Sequence, residues 1–122
     1  AGMVLYQNHA NHLRMEIMRR DGRKCFAVTS CIQGEEKIIS VTPMDGNEKI
    51  TRIRILCDRQ KACVWIQTGE EWILCAKDIS LLPYTTEEAG GFVGCTIGMY
   101  ASANGVESQN HADFGWFLQK AL

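Results

Sequence analysis

The residues able to carry chemistry in this chain are three histidines, six cysteines, fourteen acids and three tryptophans, and their spacing limits what they can do. Glycoside hydrolysis needs two carboxyl groups facing each other across a cleft. Most acids here stand in turn-like clusters instead, among them Asp21, Glu35, Glu36, Asp45, Glu48, Glu70, Glu71, Glu87 and Glu88. Turn carboxylates are ordinarily just solvated, so no catalytic pair is assigned. A serine or cysteine nucleophile needs a histidine beside it and an acid to orient that histidine. His9, His12 and His111 have no such company, and no Gly-x-Ser-x-Gly turn is present. His9 and His12, in "HANH", have a spacing that metals use, but the segment reads as a bend between two strands. "GGFVG" lacks the Lys-Ser/Thr ending of a phosphate loop. Binding is the better-founded idea. Trp65 and Trp72, with Tyr100, form the candidate stacking platform of a stand-alone carbohydrate-binding module. Yet "VWI", "EWI" and, around Trp116, "GWF" place each indole in a core-like strand, which favours core or inter-domain packing.

Composition narrows the partners. Lys plus Arg number 13 against 14 acids, a net charge of -1. Nucleic acids and anionic membranes select basic faces, so neither is expected as a partner. Arg14, Arg19, Arg20, Arg23 and Lys24 are interrupted by Glu16 and Asp21 and read as solvated strand faces and turns. No run approaches the ~18 apolar residues of a membrane helix. The opening "AGMVLYQN" does not read as a signal peptide, and a targeting segment further upstream in a longer gene product stays open. Cys25, Cys57, Cys63, Cys75 and Cys95 sit in apolar runs such as "ILC", "CVWI" and "WILC", where a free thiol behaves as a small hydrophobe. With no Cys-x-x-Cys pair, zinc is poorly supported. Cys57 and Cys63 flank a short turn, and a disulfide across that hairpin is left open.

The elements that must position these residues are strands. "MVLYQ" (3–7), "HLRMEIMR" (12–19), "CFAVTSCIQ" (25–33), "KIISVTP" (37–43), "ITRIRILCD" (50–58), "CVWIQTG" (63–69), "WILCAKD" (72–78), "FVGCTIGMYAS" (92–102) and "DFGWFLQ" (113–119) make about nine. Asp21-Gly22 is a favoured hairpin pair. The short connections and the near absence of a 3.6-residue period predict an all-β, antiparallel sandwich or barrel. A single short helical turn fits "LLPYTTEEAGG". The early strands alternate cleanly and are expected to keep one wet face. "FVGCTIGMY" reads as buried on both sides.

The stretch "GGFVGCTIGMYASANG" (90–105) interleaves five glycines with strand formers. Followed by "ADFGWF", it resembles the end of the C-terminal β-sandwich of glycoside hydrolase family 43, the β-xylosidases and α-L-arabinofuranosidases. "AGMVLYQNHANHLRMEI" is similar to that family's Ala-Gly-Leu-Val-Val-Tyr-Gln-Asn segment and the strand after it. "RIRILCDRQKACVWIQTGEEWILC" has the shape of its hairpin ending in Gly-x-x-Trp. The order and spacing of these motifs span essentially the whole chain.

The resemblance implies a concanavalin-A-like jelly roll, a single domain over residues 1–122, as the C-terminal portion of a longer glycosidase. It implies that the catalytic carboxylates lie on a separate five-bladed propeller, that this chain alone is inactive, and that the substrate is a pentose-containing oligosaccharide. Phe92 matches the family's loop aromatic at the pocket rim. Gly90 and Gly91 then let that loop bend, while Gly94 and Gly98 allow close packing behind it. No cofactor is required by this reading. A structural calcium is implied at Asp113, although the family's second acid is replaced here by Gly115. The family's sandwich carries strands before the point where this chain begins, so exposed edges covered by a second copy are expected. Thiol-rich strands lean toward a reducing cytoplasm, whereas relatives that degrade polysaccharides are often exported.

Overall fold

The computed structural model describes residues 2–44, 49–58, 60–81, 84 and 96–100. Eight strands follow in chain order: β1 (Gly2–Asn8), β2 (Asn11–Arg20), β3 (Arg23–Ile32), β4 (Glu35–Pro43), β5 (Ile50–Asp58), β6 (Lys61–Thr68), β7 (Glu71–Ser80) and β8 (Thr96–Tyr100). The ninth expected strand, 113–119, lies outside the described residues. All neighbours pair antiparallel, in a five-stranded sheet ordered β4-β3-β2-β1-β8 and a three-stranded sheet ordered β5-β6-β7. Among the described residues there is no α-helix. Of the expected helical turn, the described residues show a hydrogen bond from the Tyr84 amide to the Leu81 carbonyl, 3.0 Å.

Turn chemistry fixes the registers. Asp21 and Gly22 both take positive φ, as a two-residue type I′ hairpin requires, and so do Gln33 and Gly34. Gln33 is an unusual residue for that geometry. Its amide donates to Asn11 Oδ1 at 3.0 Å, and the Gly34 amide donates to the Ala10 carbonyl at 2.9 Å. Those bonds lock the β3–β4 turn onto the β1–β2 turn.

With register set, alternation sorts the side chains. Leu13, Met15 and Ile17 on β2 lie opposite Ser30, Val28 and Phe26 on β3, and Met3 and Leu5 on β1 lie opposite Met15 and Leu13. These face Val64, Ile66, Ala62, Ala76 and Ile79 of the small sheet, with Tyr84 and Met44 closing the cluster. Each fully buried Leu, Val or Phe there contributes about 1.5–3 kcal/mol relative to exposure. Ser40 Oγ on β4 donates to the Cys75 carbonyl on β7 at 2.6 Å and ties the two sheets at one rim.

Three expectations change. β3 is buried on both faces rather than one. Its outer residues Ala27, Thr29 and Cys31 are small and lie opposite the longer Glu16, Arg14 and His12 of β2, beneath which they are buried. β4 is the opposite case, with Ile38, Ile39 and Val41 all exposed. In β8, Met99 is 51% exposed, and a Cβ on Gly98 would meet nothing within 4 Å, so neither two-sided burial nor close packing applies there.

Candidate functional site

The polar side chains that converge do so on the outer face of the five-stranded sheet, at its turn end. Alternation along β2 puts His12, Arg14 and Glu16 on that face, and antiparallel pairing brings Cys31 of β3 beside His12 and Glu36 of β4 beside Cys31. Tyr6 of β1 lies directly opposite His12. Their rings are near parallel, with centroids 6.1 Å apart and 26° between planes. A cleft of about 460 Å3 opens here, lined by Tyr6, His9, His12, Arg14 and Glu36 over a floor that includes Val4 and Cys31.

Arg14 organises the cluster. Its Nε pairs with Glu16 Oε1 at 3.3 Å, and its Nη1 pairs with Glu36 Oε1 and donates to His12 Nε2 at 3.2 Å. Arginine has no acceptor, so Nε2 accepts and the imidazole proton sits on Nδ1. Nδ1 is sealed from solvent without a well-formed hydrogen bond. The His12 pKa is lowered chiefly by burial and then by the Arg14 charge, while the backbone of Asn8 and His9 works weakly against this. Arg14 holds the Glu36 carboxyl below its usual range, mainly through the hydrogen bond. That is the wrong direction for a general acid, whose pKa must be raised.

Stability is therefore expected to fall in two stages on acidification. His12 is held below its ordinary 6.5 in the folded chain, so the unfolded chain takes up that proton first. The contribution is whole above 6.5 and is lost as pH falls through the folded value. The Glu36 contribution is whole above 4.5 and fades as pH falls through its own lowered value. Urea midpoints measured from pH 8 to 3 should drop across both windows, and His12→Gln should abolish the upper drop alone.

Sequence reasoning missed this cluster. Arg14 was expected on a solvated face, but its side chain is only 16% exposed because two carboxylates and a ring enclose it. The available signal was the alternation His-Arg-Glu at 12, 14 and 16. His9 and His12 do line one cleft, and among the described residues no group of three metal-ligating side chains occurs.

Trp65 and Trp72 stand elsewhere, on the outer face of the small sheet. Trp65 alternates with the buried Val64 and Ile66, so neither core packing nor the inter-sheet space claims it. Trp65 lies opposite Leu74, and Trp72 lies opposite Gln67, making the two indoles diagonal neighbours. The Arg54 guanidinium sits 4.0 Å from the centre of the Trp72 ring, a cation–π contact that occupies one ring face. The Trp65 indole nitrogen is buried and finds no acceptor. Cys57 lies opposite Ala62 and Cys63 opposite Leu56, which puts the two thiols on opposite faces; both are free. Cys57 is exposed rather than core, being near the end of β5. Phe92, Gly90, Gly91, Gly94 and Asp113 lie outside the described residues, as does the Tyr100 side chain.

Comparison with known proteins places this architecture. Residues 1–120 match the family model for the β-xylosidase C-terminal concanavalin A-like domain. A xylosidase/arabinosidase of Butyrivibrio fibrisolvens is 43% identical over 117 residues, covering 96% of this chain and 22% of the relative. The non-reducing end α-L-arabinofuranosidase BoGH43B of Bacteroides ovatus is 30% identical over 130 residues, covering all of this chain and 23% of that enzyme. The solved structure of the Bacteroides ovatus xyloglucan PUL GH43B superposes with a TM-score of 0.77 at 22% identity, over 85% of this chain and 20% of that one, which bears on fold alone. The chain thus spans about a fifth of the length of the curated relatives it matches. With two antiparallel sheets packed on one core and the match running nearly end to end, this chain belongs to the family of β-xylosidase C-terminal concanavalin A-like domains.

Proposed function

We propose that this chain is the non-catalytic C-terminal sandwich of a family 43 glycosidase acting on pentosides, packing against a catalytic propeller and shaping the rim of its pocket. The observation that carries the reading is the match over residues 1–120 to a domain that occupies a minor share of its enzyme relatives. Glu16 and Glu36 fit it, since both are bound to one arginine rather than facing each other as a catalytic pair. The outer face of β5–β7 supports the docking, with Leu56 39% and Leu74 42% exposed beside Trp65 and Trp72. Phe92, held between Gly91 and Val93, is the residue assigned to the rim on the strength of the resemblance.

Sedimentation of this chain mixed with the separately produced propeller of its parent enzyme is expected to give a one-to-one complex, which Leu74→Asp weakens at least tenfold. In the full enzyme, Phe92→Ala should lower kcat/KM on an aryl pentoside by about tenfold, or ~1.4 kcal/mol. No complex at all sinks the reading. Self-association through the exposed β4 belongs to the same proposal, and a strictly monomeric chain at high concentration counts against it. A second reading, a stand-alone carbohydrate-binding module, draws on Trp65 and Trp72 sharing one face. It predicts sugar-induced changes confined to β5–β7.

A further inference from the structure

Two carboxylates settle Arg14, but the cations at the far end of β2 have no such partners. Residues 19–24, "RRDGRK", hold four cations and one acid at the tip of the β2–β3 hairpin. We infer that this tip is a docking arm for a carboxylate-rich protein surface, gripped by Arg19, Arg20 and Arg23. Shape is the first argument. β4 pairs with β3 only as far as Cys25, and β1 pairs with β2 only as far as Glu16. Among the described strands, residues 19–24 therefore stand clear of neighbours on both sides, as a two-stranded arm. Asp21 and Gly22 close it in a tight turn, and the fully buried Phe26 anchors its base. An arm shaped before contact loses little freedom on binding.

Charge is the second. Register sets Arg19 opposite Lys24 and Arg20 opposite Arg23. Like charges directly opposite each other destabilise a strand pair. Arg19, Arg20 and Arg23 are exposed and form no ion pair among the described residues. The hairpin thus keeps cations that weaken its own folding, an effect that a ligand of opposite sign would reverse. Three of the four are arginines, whose planar fork grips a carboxylate through paired hydrogen bonds.

The surroundings of the arm decide which anion fits. The Met44 amide, just after β4, donates to the Lys24 carbonyl at 3.1 Å, so β4 ends beside the arm. β5 begins soon afterwards at Ile50, which pairs with Thr68 and brings the β6–β7 turn to this same end of the sandwich. Glu70 and Glu71 stand exposed on that turn, and the whole chain carries a net charge of -1. A nucleic acid or an anionic bilayer broad enough to span this end would meet those carboxylates as well as the arm, and be repelled by them. A compact acidic patch on a protein can meet the arm alone.

The inference is independent of docking to a propeller, and the chain by itself tests it. The 122-residue chain is titrated with a hexaglutamate peptide, followed by amide chemical shifts, with double-stranded DNA and phosphatidylserine vesicles alongside. The expected result is saturable shifts confined to residues 18–25, with binding weakened about tenfold when salt rises from about 20 to 200 mM. Arg20→Glu should weaken binding about tenfold. It should also raise the thermal midpoint by roughly 1–5 °C, because the new carboxylate faces Arg23 with opposite charge. Lys61→Glu makes the same change in net charge at the opposite end of the sandwich, where β6 begins, and should leave binding within about twofold. Tighter binding to DNA or vesicles, equal weakening by Lys61→Glu, a lowered midpoint for Arg20→Glu, or no shifts at millimolar peptide would each overturn the assignment.

Discussion

Phe26→Ala should lower the thermal midpoint of this chain by about 10–20 °C, a loss of roughly 3–5 kcal/mol. Phe26 is fully buried, lies opposite Ile17 and Thr42, and belongs to the cluster joining the two sheets. Truncation removes the transfer energy of the ring and leaves a void that strands pinned by hairpins on both sides cannot close. Domains of this size hold only about 5–15 kcal/mol in total, so the variant is left near the threshold of unfolding. Ile38→Ala provides the control: Ile38 is 41% exposed, and the change should stay within about 0.5 kcal/mol. Thermal and urea unfolding by circular dichroism measure both. Near-equal losses at the two positions would mean that the core is not where the registers put it.

Arg14→Ala is expected to cost about 2 kcal/mol at pH 7, large for a polar residue on a sheet's outer face. The reason is what stays behind. Glu16, 13% exposed, loses its counter-charge, Glu36 loses its partner, and His12 Nε2 loses its donor. Screening makes the Glu36 share small, so most of the loss belongs to the enclosed Glu16 and His12. Glu16→Gln in the same chain should restore about 1 kcal/mol, a coupling read from a double-mutant cycle in urea. Simple additivity of the two changes would show that the pair contributes nothing and that Arg14 acts through packing alone.

The fold was legible because hairpin signals and alternation agreed. Asp21-Gly22 announced its turn, and β5, Ile50–Asp58, falls on the expected span. Gln33-Gly34 did not announce itself, since glutamine at positive φ is held by Asn11 from another hairpin, a long-range bond invisible in local sequence. Burial was legible only one strand at a time. Nothing in "CFAVTSCIQ" says that its outer face lies under Arg14 and Glu16, because cover comes from neighbours that only register identifies. The cleft was hidden for the same reason. His12, Arg14 and Glu16 alternate visibly, but Tyr6 joins them from 6 residues before His12 and Glu36 from 20 residues after Glu16, through pairing across three hairpins.

The irregularity in β4 has a bearing on solubility. Opposite Val28 and Thr29 the strand carries one residue too many, Ile39, so its outer rim is kinked midway. Glu35, Glu36 and Lys37 precede the kink and Pro43 follows it. An incoming chain thus finds only short straight templates on either side, flanked by charge and by a residue that donates no bond. Pairwise docking remains feasible on such a rim, whereas endless stacking into fibrils does not.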